Sequence, residues 1–402
     1  MQQRVAPVGT AGEVFGAFLK LGLTAFGGPV AHLGYFRADL VVRRGWLDEA
    51  AYAELVALCQ FLPGPASSQA GFLLGLHRAG AAGALAAWAG FTLPSALIMM
   101  LLGLGAHALA GPLAGTVVHG LKLVAVVIVA QAVWSMARTL APDWRRRALA
   151  LSAALIVLSA GGSLVQGVAQ GVAQTGAIAL ASLAGLALCR DLPIPPGRWV
   201  LEGVSRGAGL ICLALFAALL ASLPLLAASG SRAVALFGLF YRSGALVFGG
   251  GHVVLPLLRD ALVPSGWLTD DRFLAGYGAA QAMPGPLFTV AAYDGAAAGG
   301  VGGAVAALLG LFLPGLLLVL GVLPFWSALR ENRSARAAVA GANAAVVGIL
   351  AVALYDPLWT GSVAAWTDAL MVGIGLLVLL RWKAPPLAIV VGMVAASLAM
   401  AG

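Results

Sequence analysis

Charged residues are scarce in this sequence, at 9% of its 402 residues, while 61% of the residues are hydrophobic. A soluble globular domain carries about 25% charged residues, and a chain this apolar would expose large apolar patches in water. The composition excludes an ordinary soluble domain and predicts a protein that has lipid as its solvent.

Cysteine is scarce, and the usual signatures of catalytic sites are missing as well. The three cysteines, Cys59, Cys189 and Cys212, have no paired spacing typical of a disulfide framework or a metal site. The sequence contains no Gly-Lys-Ser/Thr of a P-loop and no His-Glu-x-x-His. We therefore expect neither an enzyme nor an ATP-driven pump, and neither a cofactor nor a metal.

Basic residues outnumber acidic residues, 23 against 15, which gives a formal charge of +8. In a soluble protein this balance would favour nucleic acid as a partner. Here the basic residues lie in short loops between apolar runs, which is typical of the cytoplasmic loops of membrane proteins. We predict the lipid bilayer and no nucleic acid as partner, and attraction of an anionic solute as the alternative use of the charge.

Long stretches contain no Asp, Glu, Lys or Arg, and glycine is frequent, at 54 residues. Residues 79–121, 148–188 and 207–230 each hold at least one span of about 20 apolar residues. Glycine is expected where helices pack closely inside a membrane. The predicted fold class is an all-α polytopic membrane protein.

The chain contains an internal repeat. Residues 18–36 read FLKLGLTAFGGPVAHLGYF, and residues 240–258 read FYRSGALVFGGGHVVLPLL. The similarity continues in the same order along the chain and indicates a duplicated gene. Further matched positions are Asp39 with Asp260, Trp46 with Trp267, Gln60 with Gln281, Pro63-Gly64-Pro65 with Pro284-Gly285-Pro286, Ser68 with Thr289, Pro94 with Pro314, and Lys122 with Asn343.

We predict an N-terminal repeat at residues 1–190, a linker with one unpaired transmembrane helix at 191–230, and a C-terminal repeat at 231–402. Each repeat contains six apolar elements, so we expect about 13 transmembrane segments. The predicted elements are 13–36, 50–77, 82–108, 113–138, 147–164 and 168–189, followed by 232–256, 271–298, 300–327, 336–356, 366–381 and 386–401.

The basic loops orient the two repeats. Arg145, Arg146 and Arg147 follow the fourth element of the first repeat, while Arg330 and Arg333 follow the third element of the second. Because basic loops stay on the cytoplasmic side, the third elements should run in opposite directions. The prediction is a pair of inverted-topology repeats, a plan typical of secondary transporters, with a cytoplasmic N-terminus and a periplasmic C-terminus.

Three arginines fit this plan poorly. If the first two elements both cross the membrane, Arg37, Arg43 and Arg44 lie outside, against the charge bias. If these elements are re-entrant hairpins, the conflict disappears and fewer segments cross. The sequence leaves both interpretations open.

Glycine pairs interrupt apolar segments at matched places in the two repeats. Such a pair loosens a helix and allows close approach of a ligand, although close helix packing is the alternative use of glycine. The predicted breaks contain Gly27, Gly28 and Pro29 in the first repeat and Gly249 and Gly250 in the second. Gly251 stands where the first repeat has Pro29, which leaves the symmetry of the site open.

A cation lies six residues before the phenylalanine of each glycine break, Lys20 in the first repeat and Arg242 in the second. A charge at this depth requires water, a partner or a ligand. We expect both to bind substrate, and snorkelling to the interface is the alternative.

A Pro-Gly-Pro segment interrupts a second element of each repeat. A helix should end before the first proline and a new helix should begin near the second, because proline is favoured in a first helical turn. Two such helix N-termini meeting at the midplane would form a pocket for an anion, and simple kinks are the alternative. The substrate-binding candidates here are Gln60, Gly64, Ser67, Ser68, Gln281, Gly285 and Thr289, and the helix-breaking residues are Pro63, Pro65, Pro284 and Pro286.

Three titratable residues are candidates for carrying a proton or for coupling. His32 and His252 follow the glycine breaks, and each is alternatively a histidine that serves packing. Asp294 follows the second Pro-Gly-Pro break and has no acidic counterpart in the first repeat. It is a candidate proton site or a candidate partner of Arg242.

The chain resembles the chromate ion transporter family in its long, two-domain form. The resemblance is carried by the FGGP-type segment with a nearby histidine, by the Gly-Trp-Leu segment and by the Gln-x-x-Pro-Gly-Pro segment, each present twice. It implies a multi-pass protein of the bacterial inner membrane that exports chromate, a tetrahedral oxyanion, by means of an ion gradient or the membrane potential. Sulfate, an isosteric dianion, is implied as a competing substrate.

Three functions therefore stand beside one another before the structure is considered. The first is chromate export, the second is uptake or exchange of sulfate or another oxyanion, and the third is an anion channel. The oligomeric state is open, and a homodimer is one candidate assembly.

Overall fold

The computed structural model describes residues 9–106, 112–160, 166–192, 204–227, 230–382 and 384–401. Every regular element among these residues is helical. The α-helices are α1 (Ala11–Thr24), α2 (Gly28–Phe36), α3 (Glu49–Phe61), α4 (Ala66–Gly105), α5 (Pro112–Leu140), α6 (Trp144–Ala160), α7 (Gln166–Leu188), α8 (Arg206–Ala227), α9 (Arg232–Ala245), α10 (Val254–Leu262), α11 (Asp270–Ala280), α12 (Val290–Val322), α13 (Trp326–Glu331), α14 (Arg333–Ala353), α15 (Thr360–Ser362), α16 (Trp366–Trp382) and α17 (Pro386–Ala401).

Shorter helical segments adjoin several of these helices. Turns of 3₁₀-helix lie at Gly251–Val253, Leu287–Thr289 and Leu323–Phe325, and π-helical segments lie at Arg37–Arg43 and Leu354–Trp359. The first π-helical segment continues α2, so the chain from Gly28 to Arg43 is helical throughout.

Six stretches within the described residues are long and apolar enough to cross a bilayer. They are Ala66–Gly105, Leu113–Leu140, Gly171–Leu188, Arg206–Leu223, Leu287–Glu331 and Arg333–Ser362, and Pro386–Met400 is a shorter apolar helix. Large apolar side chains such as Leu85, Leu101 and Leu183 are exposed on these helices, as expected where lipid is the solvent. The prediction of an all-α polytopic membrane protein is confirmed, and the count of about 13 segments stays a prediction.

Helices α4 and α12 each contain one sharp internal turn. Ala79 and Gly80 have φ angles of −144° and 63°, and Gly299 and Gly300 have φ angles of −153° and 65°. Each turn divides its helix into a short part, residues 66–78 or 290–298, and a long part, residues 81–105 or 301–322. The short and long parts of α4 pack so closely that a Cβ on Gly75 would meet the backbone of Gly83.

Contacts around Trp46 bring three distant parts of the first half of the chain together at one end of the molecule. Arg78 forms an ion pair with Glu13 at 3.0 Å, and its backbone carbonyl accepts a hydrogen bond from Gly9 at 2.9 Å. The Arg78 guanidinium also lies 5.5 Å from the centre of the Trp46 ring. The beginning of α1, the turn after Arg43 and the turn in α4 are therefore adjacent, at what we call the Trp46 end.

The second half has an equivalent meeting point, which we call the Trp267 end. The Arg232 guanidinium lies 4.9 Å from the centre of the Trp267 ring and donates to the carbonyl of Ala298 at 3.2 Å. The beginning of α9, the turn after α10 and the turn in α12 are adjacent there. Side-chain caps start the next helix at both ends, because Asp48 accepts from Ala51 N–H at 2.7 Å and Thr269 accepts from Arg272 N–H at 3.4 Å.

These contacts define four helical hairpins with their tips inside the molecule. From the Trp46 end, α1 runs inward and α2 returns, and then α3 runs inward and residues 66–78 return. From the Trp267 end, α9 and α10 form one such hairpin, and α11 and residues 290–298 form the other.

The long parts of α4 and α12 connect the two ends in opposite directions. Gly103, near the end of α4, packs against the backbone of Tyr293 and the side chain of Ala296, close to the Trp267 end. Beyond the end of α12, Trp326 donates to the Glu54 carboxylate at 2.7 Å, close to the Trp46 end. Helix α14 packs against α6 and α7, and α5 packs against α16 and α17, which surrounds this centre.

Candidate functional site

The four hairpin tips meet and bond to one another in the interior. The backbone N–H of Gly64 donates to the carbonyl of Val247 at 2.7 Å, and the backbone N–H of Gly285 donates to the carbonyl of Ala25 at 2.9 Å. Ala25 and Val247 each lie two residues before the glycine pair of their half. Each Pro-Gly-Pro tip is therefore held by the Gly-Gly tip of the opposite half.

The glycines of the tips have backbone angles that other residues adopt only with strain. Positive φ permits the chain to reverse direction without the steric cost of a Cβ atom. The φ angles are 102° at Gly27, 78° at Gly28, 122° at Gly64, 75° at Gly249, 143° at Gly250 and 93° at Gly285.

Close packing adds a second reason for glycine in the Pro-Gly-Pro tips. A Cβ on Gly64 would lie 2.9 Å from the Cα of Gly315, and a Cβ on Gly285 would lie 2.9 Å from the Oγ of Ser95. Gly315 and Ser95 lie on the long parts of α12 and α4. Each tip is therefore wedged against the long helix of the other half.

The prolines lie at the helix boundaries around these tips. Pro29 occupies the first turn of α2, and Pro65 is the residue immediately before α4. Pro286 immediately precedes the 3₁₀ turn that leads into α12. Pro63 and Pro284 lie in the non-helical tips themselves, between α3 and α4 and between α11 and that turn.

Buried polar side chains of the first half surround the beginning of α4. His32 Nδ1 lies 3.4 Å from Ser67 Oγ, and both residues are buried. His32 Nε2 and the Ser68 hydroxyl are buried without a hydrogen-bond partner. The Gln69 amide donates to the carbonyls of Pro63 at 3.0 Å and Gly315 at 2.9 Å, which ties the tip to α12.

The second half is arranged differently around its own tips. His252 Nδ1 lies 2.8 Å from the Tyr277 hydroxyl, so this histidine has a partner within its own half. The Gln281 side chain is buried, with its Nε2 unpartnered, whereas its counterpart Gln60 is exposed. The Thr289 hydroxyl donates to the carbonyl of Pro286 at 2.8 Å.

The predicted cations lie close to the tips but not inside the buried cluster. Lys20 is in the last turns of α1 and Arg242 in the last turn of α9, and both are exposed. The buried faces of these two helices are formed by other residues, such as Phe18 and Phe240. The site residues predicted from the sequence therefore separate into a mostly buried group at the tips, in which Gly27 and Gln60 are exposed, and two exposed cations beside them.

The predicted pairing of Asp294 with Arg242 is wrong. Asp294 is 0% exposed, and both of its carboxylate oxygens are buried without a hydrogen-bond partner, whereas Arg242 is exposed. Asp294 lies on the short part of α12, between the buried residues Tyr293 and Gly295. Its role as a proton or coupling site stays a prediction.

Several polar residues at the tips were missed in the sequence. Gln69, Thr92, Ser95 and Tyr277 are all buried there. Gln69 directly follows Ser67-Ser68 on the short part of α4, and Thr92 lies two residues before Pro94 on its long part. Their polarity within an apolar segment was therefore an available signal.

No cluster of three or more His, Cys, Asp or Glu residues able to hold a metal ion occurs in the described parts of the chain.

A buried ion pair joins the halves away from the tips, at the Trp46 end. The Arg330 guanidinium donates to the Glu54 carboxylate at 2.8 Å, and the Trp326 indole donates to the same oxygen.

Comparisons with known proteins agree with these motifs. A family model described as "Chromate transporter" matches residues 12–231 and 234–398. The chain is 31% identical to the chromate transport protein of Pseudomonas aeruginosa over 367 residues, 88% of this chain and 82% of that protein. It is 32% identical to the probable chromate transport protein of Synechococcus elongatus over 342 residues, 84% of this chain and 82% of that protein. No solved structure matches the chain.

Proposed function

The chain belongs to the chromate transporter family, and from this premise we propose that it exports chromate from the cytoplasm as a secondary transporter. The curated relatives are transport proteins, and the chain is a membrane transporter and not an enzyme. Its substrate class is an oxyanion.

In this proposal the four hairpins are re-entrant and the halves are inverted copies. The long parts of α4 and α12 cross the membrane in opposite directions, with α5, α6, α7, α8, α14, α16 and α17 as the remaining crossings. The Trp46 end is cytoplasmic, because basic residues gather there. Arg330 pairs with Glu54 at this end, Arg336 donates to the carbonyls of Arg330 and Leu192, and Arg145 donates to the carbonyl of Leu188. The basic residues there include Arg43, Arg44, Arg78, Arg145, Arg146, Arg147, Arg330, Arg333 and Arg336.

The re-entrant arrangement removes the conflict over Arg37, Arg43 and Arg44. If the hairpin formed by α1 and α2 begins and ends at the Trp46 end, these arginines lie on the cytoplasmic side with the other basic residues. The chain then crosses the membrane nine times. The N-terminus is cytoplasmic and the C-terminus is on the outside.

The observation that carries the proposal is the exchange of hydrogen bonds between the tips, Gly64 to Val247 and Gly285 to Ala25. It supports a site at the centre of the membrane, where helices of both halves begin. A helix N-terminus presents free N–H groups and the positive end of the helix dipole. Helices that begin together at this depth suit an anion that must leave its hydration shell.

The exposed cations and the membrane potential complete the mechanism. Lys20 and Arg242 lie beside the tips and compensate the charge of the dianion as it approaches. An inside-negative potential of about 100 mV favours the exit of two negative charges by about 4.6 kcal/mol, at about 2.3 kcal/mol per charge. His32, His252 and Asp294 remain the candidates for coupling, and the unpartnered, fully buried carboxylate of Asp294 suits the binding of a proton or a coupling cation.

Chromate uptake into everted membrane vesicles tests this function. We expect saturable uptake of radioactive chromate that depends on this protein, competes with sulfate, and changes when a protonophore is added. Vesicles that carry an empty expression vector are the control. Labelled sulfate that enters faster than chromate would favour sulfate as the substrate, and uptake without saturation would favour an anion channel.

A further inference from the structure

The two halves differ in polarity at equivalent places beside their tips. In the first half, Ser68 lies on the short part of α4 and Thr92 on its long part, and they are 3% and 0% exposed. Both hydroxyls are buried without a hydrogen-bond partner. Such groups in the interior of a membrane protein are costly unless a ligand or water satisfies them.

The packing of the short part of α4 against its long part brings Ser68 and Thr92 to nearly the same level. Gly75 on the short part packs against Gly83 on the long part, as Gly295 packs against Gly303 within α12. Ser68 precedes Gly75 by seven residues and Thr92 follows Gly83 by nine. Counted in the same way from Gly295 and Gly303, the equivalents of Ser68 and Thr92 are Phe288 and Phe312, whose ring centres are 5.8 Å apart. The packing of the helices therefore pairs Ser68 with Phe288, one residue before its sequence match Thr289.

Aromatic rings fill the equivalent place in the second half. Phe312 contacts the Trp88 ring, at 5.7 Å between ring centres, in addition to that of Phe288. Phe288 and Phe312 are 2% and 1% exposed. The neighbouring Thr289 hydroxyl already donates to the carbonyl of Pro286, so this place in the second half has no unpartnered hydroxyl, where the first half has two.

His32 completes the polar group of the first half. Its Nδ1 atom lies 3.4 Å from Ser67 Oγ. Its ring packs edge-on against that of Phe91, the neighbour of Thr92, with 5.2 Å between the ring centres. Its Nε2 is buried without a partner. The group lies at the N-terminus of α4, where the first backbone N–H groups have no partner within the helix.

We propose that the oxyanion is bound on one half alone, by the side chains of His32, Ser68 and Thr92 together with the N-terminus of α4. Two hydroxyls, an imidazole and free backbone N–H groups are hydrogen-bond donors, which is what the oxygens of a tetrahedral dianion require. The second half contributes its tips and the packed rings of Phe288 and Phe312 as an apolar wall. This inference rests on the proposed function, because it concerns the substrate of that same pathway.

Equilibrium binding to the full-length protein in lipid nanodiscs tests the assignment, with radioactive chromate and radioactive sulfate as separate probes. Thr92→Val removes a hydroxyl and keeps the shape of the side chain, and Ser68→Ala removes the other. Each lost hydrogen bond to a charged oxygen should weaken binding by about tenfold or more. Thr92→Ser keeps the hydroxyl and should bind at near the wild-type level.

Matched variants separate this site from a general effect on folding. Ser397 on α17 also has a buried, unpartnered hydroxyl, and Ser397→Ala should bind as the wild type does. Thr289→Val tests the alternative of a site shared by both halves, to which the sequence assigns Thr289. Because the Thr289 hydroxyl already donates to the Pro286 carbonyl, we expect binding to change by less than about threefold. Thermal unfolding of each variant shows whether it folds. If Thr92→Val does not fold, Ser68→Ala alone tests the site.

Two results would overturn the assignment. One is wild-type binding by both Ser68→Ala and Thr92→Val, and the other is an equal loss of binding in Thr289→Val and Thr92→Val. Failure of the wild-type protein to bind or transport either anion would instead overturn the proposed function itself.

Discussion

Pro29 and Gly251 lie against each other where the glycine breaks of the two halves meet. A Cβ on Gly251 would lie 3.2 Å from the Cγ of Pro29, with Phe288 and Leu287 next to it. These two residues occupy matched positions of the internal repeat. The second half departs from the repeat here because a second proline would have to occupy the space that the first proline already fills.

An exchange of these two residues tests that explanation. Gly251→Pro alone should lower the free energy of unfolding by about 1–3 kcal/mol, because overpacking a filled site costs that much. The double variant Pro29→Gly with Gly251→Pro should recover most of the loss, since one proline again faces one glycine. Thermal unfolding in detergent measures both. A Gly251→Pro variant as stable as the wild type would contradict the explanation.

The sequence predicted the interruptions of the helices well. Gly27, Gly64 and their counterparts mark the tips because positive φ and missing N–H donors are properties of individual residues. The bonds between tips were not predictable in the same way. Gly64 and Val247 are joined through backbone atoms, and backbone atoms leave no trace in the choice of side chain.

Comparison of the two repeats does not find those residues of the candidate site that have no match in the other half. It selects residues that match between halves, and so it directed attention to Lys20 with Arg242, both exposed in the structure. Thr92 has a phenylalanine in its counterpart position, Phe312, and was passed over. Where duplicated halves have diverged, a polar residue without a counterpart carries information that the matched residues do not.

The buried ion pair at the Trp46 end should be important for stability. The Glu54 side chain is 1% exposed and accepts from both Arg330 and Trp326. Glu54→Ala removes the buried carboxylate that the Arg330 guanidinium and the Trp326 indole N–H share, so we expect a loss of about 3–5 kcal/mol in the free energy of unfolding. Thermal unfolding in detergent measures the loss.

Glu331→Ala is the matched control for that variant. Its carboxylate lies 4.0 Å from the same guanidinium, but the side chain is 66% exposed. An exposed pair of this kind contributes about 0–1 kcal/mol. Equal losses in the free energy of unfolding for Glu54→Ala and Glu331→Ala would show that the burial of the Glu54 pair adds nothing to stability.

Lys20 and Arg242 should affect transport and leave stability unchanged. Both side chains are exposed and neither belongs to the buried face of its helix. Replacing either with Ala removes a compensating charge for the dianion and should lower chromate uptake by about tenfold or more. Lys20→Arg and Arg242→Lys keep the charge and serve as controls. Unchanged uptake in both Ala variants would remove these residues from the mechanism.

Labelling from one side of the membrane distinguishes re-entrant hairpins from a chain in which every predicted element crosses. Ala50 and Ser265 are exposed and lie at the Trp46 and Trp267 ends, respectively. With re-entrant hairpins, Ala50→Cys faces the cytoplasm and Ser265→Cys faces outward. If the elements at 13–36 and 232–256 instead cross the membrane, both positions change sides.

In a Cys212→Ser background, an impermeant maleimide added to intact cells should therefore label Ser265→Cys and leave Ala50→Cys unlabelled until the cells are opened. The reverse pattern would contradict the hairpins and would return Arg37, Arg43 and Arg44 to the outside, against the charge bias.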